Sequence, residues 1–468
     1  MDGCKRFRGA RVQQHRAWIL GRNMFGPVRG PWPDDSWKGW WGDNPPYHTP
    51  VFVLTSHQCA PITMEGGTIF HFVTDGIHAA LQRAAALRGI GSRIRSNKGY
   101  PRKRRRRTAR HLLVSRPRVH GRSLVSGVAE KMADQITTAE SETEAFLAPF
   151  EPAWRPLDPQ LRAVMRRIYG KLKGVPPPAE LSVEELRRIN ASLSFYFNAG
   201  APPLPHIEER IIDVPSGRAR VRLYDPGTAV PAPTVVLLHG GGWVMGNADT
   251  YDGFARQIAR RSGLRCLSVE YARAPEHPFP APLDDCIAAV RWAASDGSAL
   301  GIDGSRLALV GDSAGANLAL GVCLALRDAG ASPIRGAALL YGPYSLDFDS
   351  PSQRAFGSGA YFLGTAEIAR YANDYLPNPA ARQNPLAVPM LADLANLPPL
   401  YIGACEFDPL LNDSERLMAR ATSMGTQAEL RVWQGMVHAA VSLMGWIDAM
   451  GPEVDRVGAF LRRVTSGG

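Results

Sequence analysis

The residues best suited to chemistry are Gly311-Asp312-Ser313-Ala314-Gly315, where a serine stands between small residues directly after the apolar run Leu307-Ala308-Leu309-Val310. A strand that turns straight into a helix at such a serine needs a tight, strained corner, which lifts the hydroxyl clear of the backbone. Gly311 and Gly315 remove side chains that would collide with the neighbouring strand and helix, and the helix N-terminus offers N–H groups to a developing oxyanion. Ser313 therefore reads as a nucleophile for acyl transfer.

Three other features fall where such a nucleophile needs them. His239-Gly240-Gly241-Gly242-Trp243 closes the strand-like run Val235-Val236-Leu237-Leu238, and consecutive glycines let backbone N–H groups turn toward a carbonyl oxygen. His438 is the only histidine after Ser313, so the order serine, acid, histidine nominates it as the base. Asp408 follows the apolar run Leu400-Tyr401-Ile402-Gly403-Ala404-Cys405 and so sits at a strand's carboxyl end, which makes it the expected acid. Glu406, Asp413 and Glu415 are its near competitors, read as solvated loop or helix-start carboxylates.

The elements that must hold these residues are legible from Asp158 onward. Asp158 and Pro159 suit the N-cap and first position of a helix whose Leu161, Val164, Met165, Ile168 and Leu172 share a face. Ser182-Val183-Glu184-Glu185 is a capping box for a second helix reaching about Phe197. Strands are expected at 207–214, 218–224, 234–239, 265–271, 306–310, 335–341, 399–405 and 428–433, with helices between most of them. The first two are short and alternating, as antiparallel edge strands are, and the later ones are continuously apolar, as buried parallel strands are. A helix follows Ser313 from Asn317 to about Arg327, and another spans Thr365–Tyr375 within a less regular stretch, 344–390.

Taken together, His239-Gly240-Gly241-Gly242-Trp243, Tyr271-Ala272-Arg273-Ala274-Pro275-Glu276-His277-Pro278, Gly311-Asp312-Ser313-Ala314-Gly315, Asp408-Pro409-Leu410 and His438 resemble the bacterial hormone-sensitive-lipase-like esterases of the α/β-hydrolase fold, over residues 132–468. The family's usual Tyr-Arg-Leu-Ala-Pro-Glu stands here as Tyr-Ala-Arg-Ala-Pro-Glu. The resemblance implies an eight-stranded, mostly parallel sheet with a helical cap, cap helices in 132–205, and a catalytic domain over 206–468 with a cap insertion at about 344–390. It implies a carboxylesterase for short to medium acyl esters, with Ser313, Asp408 and His438 as the triad. The oxyanion would be held by the N–H groups of Gly241, Gly242 and Ala314. His239, Gly240, Asp312 and Glu276 support these motifs structurally, and His277 is read as structural too. An amidase or other acyl hydrolase using the same triad is the alternative.

Charge divides the chain. Residues 1–131 hold 24 Lys and Arg against 7 Asp and Glu, and the rest hold 30 against 36, so a basic extension precedes an acidic enzyme. Within it, Trp18–Gly26, Pro50–Thr55 and Gly66–Gly76 resemble the middle of a dihydrofolate-reductase-like domain of the riboflavin deaminase-reductase type, over residues 18–88. Gly89-Ile90-Gly91-Ser92-Arg93-Ile94 fails the last glycine of a dinucleotide loop, so no cofactor site is expected. Such a half-sheet leaves edges unpaired. Arg102-Lys103-Arg104-Arg105-Arg106-Arg107 reads as a solvated linker, since neither interleaved aromatics nor a nucleic-acid-binding motif accompanies it. A nucleic-acid-binding protein acting through this arm is the rival from another class, and salt-dependent filter binding separates the two. The composition turns acidic and helical at Met132, as a start of translation would, which casts residues 1–131 as an upstream reading-frame product fused to a complete esterase, either a passenger or a part docked on the enzyme.

The six cysteines show no paired spacing, and several lie in apolar runs, which favours reduced thiols and a cytoplasmic address. No signal-peptide pattern and no run of about 18 apolar residues is present, so neither export nor a membrane span is expected. His206, His239, His277 and His438 lack ligand spacing, so neither metal nor cofactor is expected. The expected partner is a small ester, and a homodimer is left open.

Overall fold

The computed structural model describes residues 18–21, 50–55, 59–64, 67–75, 80, 83, 141–330 and 332–466. The segment 89–94, the basic run 102–107 and Met132 lie outside them. The chain divides into two compact units, 1–118 and 119–468.

The first unit contains strands β1 (Trp18–Gly21), β2 (Pro50–Leu54), β3 (Ile62–Thr63) and β4 (Ile69–Val73). They form one sheet in the order β1-β2-β4-β3, parallel except for the β3–β4 pair. Alternation along β2 sends Val51 and Val53 to one face with Met64, Phe70 and Phe72, and Phe52 to the other with Val73 and Ala80. Both faces are therefore apolar.

The second unit is built on eight strands: β5 (His206–Val214), β6 (Gly217–Asp225), β7 (Ala232–Leu238), β8 (Arg265–Glu270), β9 (Ile302–Asp312), β10 (Ile334–Leu340), β11 (Leu400–Phe407) and β12 (Ala428–Val437). Their order is β12-β11-β10-β9-β7-β8-β6-β5. Only β5–β6 and β6–β8 pair antiparallel. β5 and β6 each run nine residues, longer than their alternation suggested, because they pair over their whole length. β9 begins at Ile302, ahead of its apolar run, since Ile302 pairs with Ala232.

Helices cover both faces. Before the sheet come α1 (Pro159–Lys171) and α2 (Val183–Ser192), followed in order by α3 (Asp252–Ser262), α4 (Ala281–Ser295), α5 (Ala314–Asp328), α6 (Thr365–Tyr375), α7 (Leu411–Ser423) and α8 (Met450–Ser466). Asp158 caps α1 by accepting from the N–H groups of Gln160 and Leu161, and Leu161, Val164, Met165 and Ile168 are buried. The capping box of α2 is formed in both directions by Ser182 and Glu185. α2 does not reach Phe197 in one piece: it ends at Ser192 with Leu193 as its C-cap, and a separate turn covers Ser194–Phe197. Between β10 and α6 a short helix, Pro351–Phe356, interrupts the stretch expected to be irregular. Among the described residues no helix is long and apolar enough to cross a membrane.

Candidate active site

The sheet delivers its polar residues at the carboxyl ends of neighbouring strands. β9 ends at Asp312, and Ser313 follows with φ 52° and ψ −125°, a conformation few side chains tolerate, before α5 begins at Ala314. The corner is possible because of its glycines. A Cβ at Gly311 would come within 2.3 Å of the Gly315 carbonyl oxygen, and one at Gly315 within 2.0 Å of the Leu238 carbonyl oxygen on β7. The Ser313 N–H donates to the Leu340 carbonyl at 2.8 Å, tying the corner to β10.

β12 extends past its expected end to Val437, which puts His438 directly after the strand's last residue. Its Nε2 lies 2.9 Å from Ser313 Oγ and its Nδ1 lies 2.8 Å from Asp408 Oδ2. Asp408 is fully buried, and its other oxygen accepts from the Leu410 N–H at 2.8 Å. The three residues thus form one hydrogen-bonded line, with Tyr341 set edge-on to the imidazole at 4.9 Å.

The glycine loop follows β7. Gly241 and Gly242 both have positive φ, 113° and 62°. Among the described residues no backbone carbonyl accepts from the N–H of Gly241 or Gly242, and Ala314 is the first residue of α5, where an N–H has no intrahelical partner. Among the described residues these three donors thus have no backbone acceptor.

Buried polar residues brace this loop. Burial pushes the His239 ring down to about 4 and keeps it neutral, so Nδ1 donates to the Gly240 carbonyl at 2.8 Å while the ring stacks on Tyr271. Asp312 accepts from the Gly240 N–H at 2.8 Å and from the Tyr251 hydroxyl at 3.0 Å, with the Tyr341 hydroxyl at 3.4 Å. Burial raises its carboxyl to about 6, against the pull of those donors.

Glu276 lies away from Ser313. It takes a two-toothed contact from Arg187 on α2, both N···O distances 2.7 Å, and those hydrogen bonds lower its carboxyl to about 2. Arg187 also donates to the carbonyls of Val244 and Ala274, so one side chain pins α2 to the loops behind the glycines. Nothing local in the sequence singles out Arg187, since Glu276 is 89 residues away.

One expectation is corrected. Asp413 is not solvated: it is buried in the first turn of α7, where it accepts from the N–H groups of Tyr344 and Ser345 and from the Ser345 hydroxyl at 2.7–2.8 Å. The chain after β10 needs those two N–H groups satisfied away from water. Glu406 is half-buried and accepts from the Gly435 N–H at 2.7 Å, whereas Glu415 meets Asn412 at the surface.

A sequence profile of the α/β-hydrolase fold matches residues 235–442. The esterase LipI of Mycobacterium tuberculosis is 37% identical over 274 residues, which are 56% of this chain and 84% of that protein. The chain belongs to the esterases of the α/β-hydrolase fold. Among solved structures, this esterase is similar to a thermostable esterase from Pseudomonas putida ECU1011, at 25% identity, TM-score 0.63, covering 66% of this chain and 98% of that one. It is likewise similar to the hyperthermophilic esterase of Pyrobaculum calidifontis, at 30% identity, TM-score 0.62 and the same coverage of each chain. The protein is therefore a carboxylic ester hydrolase. The family match begins at residue 235, and these comparisons do not support the reductase-like resemblance expected for residues 18–88.

Proposed function

We propose that this esterase works by a two-step acyl transfer in which Ser313 is the nucleophile. The reading rests on one observation above all: His438 lies between Ser313 Oγ and Asp408 with a hydrogen bond to each. Asp408 holds the Nδ1–H tautomer, leaving Nε2 to take the serine proton as Oγ attacks the ester carbonyl. The carbonyl oxygen becomes an oxyanion facing the N–H groups of Gly241, Gly242 and Ala314, each worth about 3 kcal/mol in comparable sites. The imidazolium returns its proton to the leaving alcohol, and an acyl-serine remains. Water attacks that ester in the same way, restoring free Ser313 and releasing the carboxylic acid.

Short to medium acyl esters are the proposed substrates. α6 lies against the glycine loop through Tyr371 and Tyr375, and we take this roof as what limits the acyl length. Cys266, Cys286, Cys323 and Cys405 are free and buried, in keeping with a reducing, cytoplasmic setting. Turnover of p-nitrophenyl esters from acetate to palmitate tests the substrate range: a maximum at or below about eight carbons is expected, and a steady rise toward palmitate would overturn it.

A further inference from the structure

We propose that Tyr371 is a positioning residue for the oxyanion loop: its ring, with that of Tyr375 one turn further along α6, holds Gly242 and Trp243 in the conformation that keeps the loop N–H groups open to the substrate. This inference rests on the proposed roles of Ser313 and of the Gly241 and Gly242 N–H groups.

The loop needs holding. Gly241, Gly242 and Trp243 have consecutive positive φ values of 113°, 62° and 59°. Glycine adopts that region at little cost but tryptophan does not, and such a conformation persists only where its surroundings impose it. Hydrogen bonds fix the chain on either side of Gly242. The Gly240 N–H donates to Asp312, the Gly241 carbonyl accepts from the N–H groups of Val244 and Met245, and the Trp243 carbonyl accepts from the Ala274 N–H. Among the described residues neither the N–H nor the carbonyl of Gly242 has a hydrogen-bond partner. The Trp243 indole Nε1 and the Tyr375 hydroxyl are buried without one as well. What locates Gly242 and the Trp243 ring is therefore packing.

α6 supplies that packing from two buried rungs. Tyr371 and Tyr375 are four residues apart, so their rings share one stripe of the helix. A Cβ at Gly242 would come within 2.5 Å of Tyr371 Cδ2 and 2.6 Å of its Cγ, so the ring lies directly against the glycine backbone. Tyr375 stacks on Trp243 with centroids 4.5 Å apart and planes 5° apart. This second rung is itself anchored: the Tyr375 carbonyl accepts from the Phe279 N–H at 2.9 Å, and the Phe279 ring meets the Tyr375 ring edge-on. A flat ring at Tyr371 leaves Gly242 no room to swing outward, whereas a flexible side chain in its place does. The oxyanion exists only in the transition state, so losing the ring lowers kcat more than it raises KM.

The full chain and its Tyr371→Phe, Tyr371→Leu and Tyr371→Met variants are assayed on p-nitrophenyl butyrate and titrated with butyl trifluoromethyl ketone. Ser313 Oγ adds to that ketone's carbonyl carbon, the serine proton passes to His438, and the carbonyl oxygen becomes an oxyanion, so binding reports the hole without turnover. Leucine and methionine keep apolar bulk but lose the flat ring; each should cost about 30-fold in kcat, leave KM within about threefold, and weaken the ketone by a similar factor to kcat. Phenylalanine keeps the contacting ring carbons and should recover kcat and ketone affinity to within about twofold of the wild type. Either folded variant of the leucine and methionine pair decides the matter. A kcat within threefold of the wild type overturns the proposal, as does a kcat loss with ketone affinity unchanged, or a loss confined to KM, which would make the ring a pocket wall alone. Ser313→Ala separates the underlying reading, because retained hydrolysis there would sink the triad and the inference together, whereas an inactive Ser313→Ala with unaffected Tyr371 variants would sink the inference alone.

Discussion

Replacing Asp408 and Asp413 in turn should separate turnover from stability. In Asp408→Asn the amide oxygen can keep the Leu410 N–H, which places the NH2 against His438 Nδ1 at the 2.8 Å now spanned by a carboxylate oxygen. The ring must then carry its proton on Nε2, where it no longer accepts from Ser313 Oγ. The fold is otherwise untouched, and the expected loss is about 10⁴-fold in kcat, or about 5.5 kcal/mol of transition-state stabilisation. In Asp413→Ala the N–H groups of Tyr344 and Ser345 lose their acceptor in a buried site. At about 1–3 kcal/mol for each orphaned donor, the loss is about 3 kcal/mol of stability, with no step of the chemistry removed. Steady-state kinetics on p-nitrophenyl butyrate and urea unfolding of both variants decide the matter. Should Asp413→Ala abolish turnover while Asp408→Asn merely lowers the unfolding midpoint, the assignment of the acid is wrong.

Ser313→Ala should retain the wild-type circular dichroism and melting temperature but hydrolyse no ester above background, and an active homogeneous preparation would end the mechanism. Asp312 should make stability fall with pH. Its folded value of about 6 exceeds the ordinary 3.8, so stability is full below about pH 4 and is lost as pH rises through 6, by up to about 3 kcal/mol. Asp312→Asn should lack that step, and two parallel stability–pH curves would refute it. Arg187→Ala should lower stability by about 1–2 kcal/mol, most of it from the two carbonyl bonds because Glu276 is half exposed; an unchanged unfolding midpoint would show the clamp to be idle. A chain beginning at Met132 should keep the turnover of the full protein, since every strand of the eight-stranded sheet and every proposed site residue follows it, and a large loss would give residues 1–131 a role in the enzyme.

The sequence carried the fold where its pattern is local. Apolar runs placed six strands and alternation the other two, Asp158-Pro159 and Ser182 to Glu185 placed two helix starts, Ser313 and Asp408 were nominated because each follows a recognisable strand, and His438 because it is the only histidine after Ser313. What escaped depends on distant partners. Asp413 reads as an ordinary polar residue at a helix start, and only Tyr344 and Ser345, nearly seventy residues earlier, make it a buried acceptor. Arg187 looks like a solvated base until Val244, Ala274 and Glu276 are folded around it. The break in α2 at Leu193 was equally hidden, because neither proline nor glycine marks it.

The Tyr169 hydroxyl donates to the Gly359 carbonyl and accepts from the Phe362 N–H, and the Trp154 indole donates to the Ala360 carbonyl at 2.7 Å. These bonds stitch α1 and the turn before it to the 359–362 loop about 190 residues later, so the two segments expected to form the cap are tied together although the gene encodes them far apart. Variation in either half is therefore not free. A chimera that borrows α1 from a relative without the matching 358–362 loop would strand a buried hydroxyl and loosen the span leading into α6. Exchanging both halves together preserves the joint, so substrate range in this fold should travel between relatives as a pair of segments inherited jointly.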